Sequence, residues 1–349
     1  MADRVIFDRV RQYGSIVNPL LVWVAFFVCQ ETVGQVRNAH SLVYHEGESM
    51  VYLFGGATEK EVIADLQRLN GHQWEDVITA EVPPARTFAG LVYDPQNDRL
   101  VLFGGSKVLF GKETSLDNLL NDTWQFKDGA WRQLFPESQP SPRAEMSMAY
   151  DVQRQRLVLF AGYTIEGKKY IKLSDTWEYY EDNWHRVKAK GPTARHGAPM
   201  VYEPSRKQLL LFGGSTIDRQ YGPGTGETWV WNNNRWEKLT IEQPIGVFNA
   251  AMAYDSVSSR IIRFGGYNGD SRVNSTLLFS GNAWEPYESN QNPLPRNHHA
   301  MVYDARESRV LMYGGHDGKK VFGDLWAFQI GEWQMLYDVA PKKRVRNSH

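Results

Sequence analysis

Apolar residues in this chain fall in short runs with the two-residue period of strands. Arg99–Phe103, Arg156–Phe160 and Arg309–Tyr313 are β-branched, aliphatic and aromatic runs bounded by turn residues, which predicts short strands. Trp124-Gln125-Phe126, Trp177-Glu178-Tyr179 and Trp326-Ala327-Phe328 set aromatics on one face, as in a half-buried strand. These runs recur in a fixed register. An apolar run closes on Gly55-Gly56, Gly104-Gly105, Ala161-Gly162, Gly213-Gly214, Gly265-Gly266 and Gly314-Gly315, at intervals of 49, 57, 52, 52 and 49 residues. A tyrosine stands 11 residues before each pair: Tyr44, Tyr93, Tyr150, Tyr202, Tyr254 and Tyr303. Seven residues before that tyrosine, five units carry Arg37, Arg86, Arg143, Arg195 and Arg296, and the fifth unit carries Val247. Every unit has a downstream tryptophan: Trp74, Trp131, Trp184, Trp236, Trp284 and Trp333. In four units another tryptophan precedes it by seven residues; Gln67 and Leu277 take that place in the other two.

Each unit thus offers four strands: one ending at the tyrosine, one ending at the glycine pair, one with the first tryptophan and one begun by the second. The turn Asp94-Pro95-Gln96-Asn97-Asp98-Arg99 recurs as Asp151 to Arg156, Asp255 to Arg260 and Asp304 to Arg309. These acid–base pairs read as exposed register aids, worth roughly 0.2–1 kcal/mol each. Glycine pairs permit positive φ and close backbone approach where a strand leaves its sheet. A four-stranded unit cannot bury both faces alone, whereas six stacked radially can. The expected fold is therefore all-β, a six-bladed β-propeller of four-stranded blades over residues 37–338.

The form Tyr-Asp-x-x-x-x-Arg-Leu-Val-Leu-Phe-Gly-Gly, followed by two spaced aromatics, resembles the kelch motif and is similar to kelch units common in bacterial proteins. The resemblance runs from about Arg37 to Asp338 and implies the propeller fold. Ala161, Val247, Gln67 and Leu277 depart from it, so blades one and five are the least regular. No BTB or BACK domain accompanies the repeats, which removes the basis for a ubiquitin-ligase adaptor. Kelch propellers host scaffolds, receptors and a few enzymes, so the resemblance constrains fold more than function.

Two flanking segments lie outside the repeats. In residues 1–36, the uncharged stretch from Gln12 to Gln30 centres on Leu20 to Val28. It reads first as an element packed on the propeller and protecting a blade edge, with a membrane anchor or a secretory signal as alternatives. Residues 339–349 include the basic run Pro341 to Arg346, read as a solvated tail.

Composition narrows the chemistry. Lys plus Arg is 39 and Asp plus Glu is 40, a formal charge of −1, so no nucleic-acid partner is expected. The single cysteine, Cys29, excludes an intramolecular disulfide and a cysteine zinc site. It fits a reducing compartment, so a cytoplasmic location is favoured, with membrane-anchored or periplasmic alternatives through residues 12–30. Cys29 also lies outside the repeats, which argues against a galactose-oxidase-type copper site. No Gly-x-Ser-x-Gly elbow, P-loop or dinucleotide fingerprint is present.

Candidate site residues belong to the loops expected at the mouth of the central channel. Arg37, Arg86, Arg143, Arg195 and Arg296 could grip a carboxylate, phosphate or acidic peptide. The alternative is structural: a repeated residue usually serves the repeat. His40, Glu145, His196, His298 and His299 follow the arginine positions and are unit-specific. No cofactor is expected by default, but these side chains could hold Fe(II) or Zn(II) if they converge, and plant specifier proteins of the kelch type offer an analogy for iron. The post-glycine loops Ser106–Leu120, Tyr163–Leu173 and Ser215–Gly226 are long and mix aromatics with charge, the composition of interface anchors. The favoured function is a binding or scaffold module that recognises a protein partner or ligand through one loop face. The alternative is an enzyme acting on a small anionic substrate, since bacterial sialate mutarotases are also six-bladed kelch proteins.

Overall fold

The computed structural model describes residues 35–109, 111–112, 115–216 and 223–338. The apolar segment 12–30, Cys29 and the basic run 341–346 lie outside the described residues.

The four predicted strands form in every unit. In the first, strand a is Ser41–His45, b is Met50–Phe54, c is Leu66–Asn70 and d is Gln73–Asp76. The same antiparallel meander recurs in six four-stranded sheets, each with its strands in chain order. Each a strand packs beside the a strand of the next unit, from Ser41–His45 through Gly90–Asp94, Ser147–Asp151, Met200–Glu203, Ala251–Asp255 and Ala300–Asp304, and back to the first. The a strands therefore surround an axis from which six blades radiate. The b strands lie between neighbouring blades and are buried on both faces, which is why Leu100–Phe103 and Leu209–Phe212 are continuous apolar runs rather than alternating ones.

Each of the six blade interfaces has its own apolar core. Between blades two and three, for example, Val101, Phe103, Leu157, Leu159, Tyr179 and Trp184 pack together. The downstream tryptophan of each blade is buried against the blade before it, which removes a large apolar surface from water at each interface. Its indole N–H also needs a partner. Trp184, Trp236, Trp284 and Trp333 donate to the hydroxyls of Thr123, Thr176, Thr228 and Thr276 in the preceding blade, at 2.9–3.0 Å. Blade six joins blade one through the same kind of core, with Val51, Leu53 and Trp74 against Leu311, Tyr313 and Leu325. Among the described residues no strand is exchanged between blades to close the ring.

The glycine pairs sit at positive φ where strand b leaves the sheet. A Cβ on Gly162 would meet the Ala144 carbonyl at 2.8 Å, so the second position of the third pair has to remain glycine. The first position is less strict, and Ala161 occupies it at a φ of 61°.

The repeated arginines are interior latches. Arg37, Arg86, Arg143, Arg195 and Arg296 have relative exposures of 0 to 1%. Each donates to the carbonyl of the first residue of its own blade's pair: Gly55, Gly104, Ala161, Gly213 and Gly314. Each also meets a carboxylate, Asp65, Asp122, Asp175, Glu227 or Asp324, at 2.7–2.8 Å. Where the first tryptophan is present, its indole donates to that same carboxylate, as Trp124 does to Asp122 at 2.6 Å. In blade one Gln67 replaces the tryptophan and accepts from Arg37 at 3.3 Å. Their guanidinium groups are therefore engaged inside the blades with carbonyl and carboxylate partners.

Blade five departs at all three corners of this latch. Val247 stands for the arginine, Ser275 for the acid and Leu277 for the tryptophan. Arg263, on strand b (Arg260–Phe264), reaches the vacated place and donates to Ser275 Oγ at 2.8 Å. Burial holds its guanidinium down at about 10, and its Nε and Nη1 have no partner among the described residues. Two other expectations change. The turn pairs are ion pairs at Asp94–Arg99 and Asp304–Arg309, and the first is buried. In the other two turns the arginine turns to strands c and d instead, Arg156 to Glu178 and Arg260 to Glu285. The loop Tyr163–Leu173 is a hairpin, Tyr163–Glu166 paired with Lys169–Lys172, because Tyr163 and Ile165 bury against Leu119 and Ala144.

Removing one half of a buried ion pair leaves an uncompensated charge. Asp122→Asn should lower the unfolding free energy by about 3–5 kcal/mol in chemical denaturation. Ser275→Asp supplies the missing acid to Arg263 and should raise it by about 1–3 kcal/mol. An unchanged or lowered value for Ser275→Asp would refute the substitution of Arg263 for the absent latch.

Candidate functional site

The loops joining successive blades meet around the axis. Two residues after each arginine position stand Ala39, Phe88, Glu145, Gly197, Asn249 and His298. All six have left-handed backbones, with φ between 51 and 65°. Each amide donates to the carbonyl of the same position in the preceding blade. Phe88 donates to Ala39, Glu145 to Phe88, Gly197 to Glu145, Asn249 to Gly197, His298 to Asn249 and Ala39 to His298, at 2.7–3.3 Å. The six peptides close a hydrogen-bonded ring. The residues just before them pair with the post-glycine loops, Asn38 with Ala57 and Asn297 with His316 among them, so both sets of loops share one face.

The ring backbone repeats, but its side chains do not. They line a cavity of ≈ 160 Å³ to which all six blades contribute. Glu145 Oε2 accepts from His196 Nδ1 at 2.6 Å, and the glutamate side chain is 1% exposed. Its other oxygen, Oε1, meets no donor among the described residues. Phe88 stands edge-on to His298, with ring centres 4.8 Å apart. His196 stacks edge-on against Tyr163 and Phe248, at 5.7 and 5.6 Å. A Cβ on Gly197 would come within 2.1 Å of the Asn249 amide and 3.1 Å of Glu145 Oε2, so this glycine leaves room for its two neighbours.

A second polar chain runs inward from the rim. Gly318 N–H donates to His316 Nδ1 at 3.1 Å, so a neutral His316 carries its proton on Nε2 and donates to His298 Nδ1 at 3.0 Å. His298 then carries its own proton on Nε2. Asn249 Nδ2 lies 2.6 Å from that atom, and two donors cannot face each other. The amide is therefore turned with its oxygen toward His298 and its nitrogen over Gly197, on the side of Glu145. Arg272 stands at the rim over the Tyr267 ring, at 5.2 Å, and donates to Asn297 at 3.3 Å.

The structure brings all of the unit-specific candidates to this region but not into one cluster. Glu145 and His196 are a pair, and His298 belongs to the chain with Asn249 and His316. His40 and His299 lie one residue beyond the ring positions and line the same cavity. They pack edge-on against Tyr313 and Phe264, at 5.3 and 5.7 Å, and their ring nitrogens make no hydrogen bond of good geometry. Among the described residues no three His, Cys, Asp or Glu side chains are grouped as metal ligands would be. Asn249, Phe88 and His316 were not singled out by sequence. A comparison of units at the second position after the arginine would have found the first two, since no two units agree there.

Burial, reinforced by Arg37, holds His40 well below the ordinary imidazole range. Burial, then His316 and Arg272, does the same for His298. Burial and Arg296 hold His299 at about 3, and burial and Arg272 hold His316 at about 4. These imidazoles are neutral in the folded protein at pH 7. The unfolded chain takes up protons below about pH 6.5 that the folded chain refuses, so stability falls as pH drops from 6.5 towards 4. Each such histidine contributes a slope of at most about 1.4 kcal/mol per pH unit. Denaturation midpoints should decline between pH 7 and 5, and His316→Gln should reduce the decline; a pH-independent midpoint would contradict the buried neutral state.

Residues 23–214 and 196–346 match the KLHDC2/KLHL20/DRC7 Kelch-repeats domain. Over 208 residues the chain is 25% identical to a leucine-zipper-like transcriptional regulator 1 homolog of Drosophila melanogaster, an alignment covering 56% of this chain and 20% of that protein. Over 184 residues it is 28% identical to dynein regulatory complex subunit 7 of Chlamydomonas reinhardtii, covering 46% of this chain and 15% of that protein. The chain thus spans a fifth or less of the length of these two relatives. With six four-stranded blades, the glycine-pair register and a family match along most of its length, the chain belongs to the kelch-repeat β-propellers.

Proposed function

We propose that this propeller is a protein-binding scaffold module whose recognition face is the mouth formed by the inter-blade and post-glycine loops. The observation that carries this is the contrast within the ring. Its backbone is the same six times, while its side chains are Ala39, Phe88, Glu145, Gly197, Asn249 and His298. The fold is satisfied there by peptides, which leaves the side chains available for specificity. The surrounding loops add asymmetry. Among the described residues the Tyr163–Lys172 hairpin stands in blade three only, with half-buried Tyr170 and exposed Lys168 and Lys169, and Arg272 and Tyr267 stand in blade five. Aromatic residues and arginine on a rigid frame are the usual anchors of protein interfaces. The names of the two relatives, a transcriptional regulator homolog and a subunit of a dynein regulatory complex, accord with protein partners.

An enzyme at the same mouth would draw on Glu145 and His196, a carboxylate and an imidazole in contact. The neutral, edge-packed His40 and His299 do not extend that pair into a larger titrating constellation, so the scaffold function is the better supported of the two.

Two sets of substitutions separate the faces. Phe88→Ala, Tyr170→Ala and Arg272→Ala combined should abolish capture of partners in a quantitative affinity comparison with the parent chain. Val257→Ser with Ile330→Ser, on exposed turns between strands at the opposite ends of their blades, should leave capture unchanged. Loss with the second set and retention with the first would move the recognition surface away from the mouth.

A further inference from the structure

Strands c (Leu325–Gln329) and d (Glu332–Tyr337) of blade six are joined by the two-residue turn Ile330-Gly331, with φ of 52° and 80°. Two successive positive φ angles mark a type I′ turn, which favours asparagine, aspartate or glycine. Blades two, three and four place Asp128, Glu181 and Asn233 at the same point, with φ of 49–52°. Ile330 is the only β-branched residue at positive φ among the described residues. A branched Cβ in that conformation is strained. The side chain is also 96% exposed, so no burial within the chain offsets the strain. An outlier of this kind directs attention to a contact made outside the chain.

Beside it lies a groove of ≈ 460 Å³ between blades five and six. Val257, 68% exposed, and Ile330 form its lips, and Leu278, Tyr287 and Phe328 line it. Tyr287 stands edge-on to Phe328 with ring centres 5.7 Å apart, and its hydroxyl lies where a Cβ on Gly331 would be. Gln329 Nε2 donates to the Glu307 and Ser308 carbonyls at 2.9 and 3.3 Å, tying the turn to the a–b turn of its own blade. Asp255 accepts from the Val257 and Ser258 amides at 3.0 and 3.3 Å and so fixes the other lip. Knob and hole are thus held in place before anything docks, which lowers the entropy lost on association.

We infer that this patch is a self-association site, where a second copy of the chain docks about a two-fold axis with Ile330 of each copy in the groove of the other. A projecting apolar side chain next to an apolar hole is self-complementary, which is what an isologous interface requires. The charges at the rim suit the same occupant. Arg260 lies 3.5 Å from Glu285, both reachable from solvent, and Asp255 also lines the groove. Unlike charges on one patch can face their opposites across a two-fold axis, whereas a patch of one sign would repel its own copy. The formal charge of the chain is −1, so no large net repulsion holds two copies apart. The groove opens at the a–b and c–d turns, at the end of the blades away from the mouth, so docking leaves both recognition faces free.

Sedimentation velocity on the full chain over a concentration series tests this. The parent chain should show a reversible monomer–dimer equilibrium and no larger species, since an isologous contact closes on itself. Ile330→Asn suits the turn and removes the knob. It should raise the dimer dissociation constant about tenfold or more. Its thermal midpoint, read at a concentration where both chains are monomeric, should equal or exceed that of the parent. Val257→Ser should weaken the dimer in the same direction, and both variants should keep partner capture through the mouth. A parent chain that stays monomeric throughout would overturn the inference, whether the groove then serves a different protein or none. So would a dimer that Ile330→Asn and Val257→Ser leave unchanged, which would place the contact elsewhere on the propeller.

Discussion

Six peptide hydrogen bonds, each running from one blade to the blade before it, close on themselves around the propeller axis. The rest of the structure is arranged so that this ring can form. An amide can reach the matching carbonyl of its neighbour only if the chain reverses sharply between blades, and the left-handed conformation at all six positions provides that reversal. Five of the six are not glycine, and such residues in the left-handed region cost of order 1–3 kcal/mol each. Closure offsets this cost because each bond made also satisfies a buried donor and a buried acceptor that water cannot reach. The ring fixes the number of blades as well: the bond from Ala39 to His298 is equivalent to the other five, so the first and last blades need no special joint among the described residues.

The arginine latches act one layer outward. Each ties the turn after strand b to an acid at the start of strand c, and so holds the post-glycine loop against the inter-blade loop. Blade five shows that the latch is a unit of three residues. Val247, Ser275 and Leu277 change together, and Arg263 enters from strand b to fill the space. Its side chain packs over the Phe212 ring of blade four, 5.6 Å away, so the substitute also belongs to the interface core. A buried guanidinium with one neutral partner is a weaker solution than a guanidinium with a carboxylate, which makes this interface the least well compensated of the six in electrostatic terms.

Much of this was legible in the sequence. Glycine pairs, tyrosines, arginines and tryptophans at constant offsets define the blades, and the strands form where the runs lie. The arginines show what a repeat cannot convey by itself. Their recurrence was visible, but the direction of their side chains depended on an acid 28 to 36 residues downstream, two positions before the first tryptophan, as in Asp122-Thr123-Trp124. Val247 and Leu277 were visible as separate departures; that they belong to one correlated change requires Ser275, two positions before Leu277, and Arg263, which reaches Ser275 from the neighbouring strand. His40, Glu145, His196, His298 and His299 lie at or next to the ring, because loops after equivalent positions converge in a propeller. Their division into a Glu145–His196 pair, a His298–Asn249 chain and two isolated imidazoles was not legible, since it turns on one- and two-residue differences in ring position.

The same differences explain how a sixfold frame yields an asymmetric site. Residues that hold the ring act through their peptides, so substitution at those positions leaves the bonds in place provided that the left-handed backbone is kept. Selection on side chains at the mouth is thereby decoupled from selection on the fold, and a buried carboxylate–imidazole pair, Glu145 with His196, is carried at the ring without dismantling it. Elsewhere in the interior of this protein carboxylates are paired: Asp65, Asp122, Asp175, Glu227 and Asp324 each meet an arginine. Glu145 differs in kind: Oε2 meets the His196 imidazole at 2.6 Å, and Oε1 is buried with no donor among the described residues. An apolar residue at the same left-handed position, as Ala39 and Phe88 show, closes the ring equally well, so the ring itself does not require the Glu145–His196 pair.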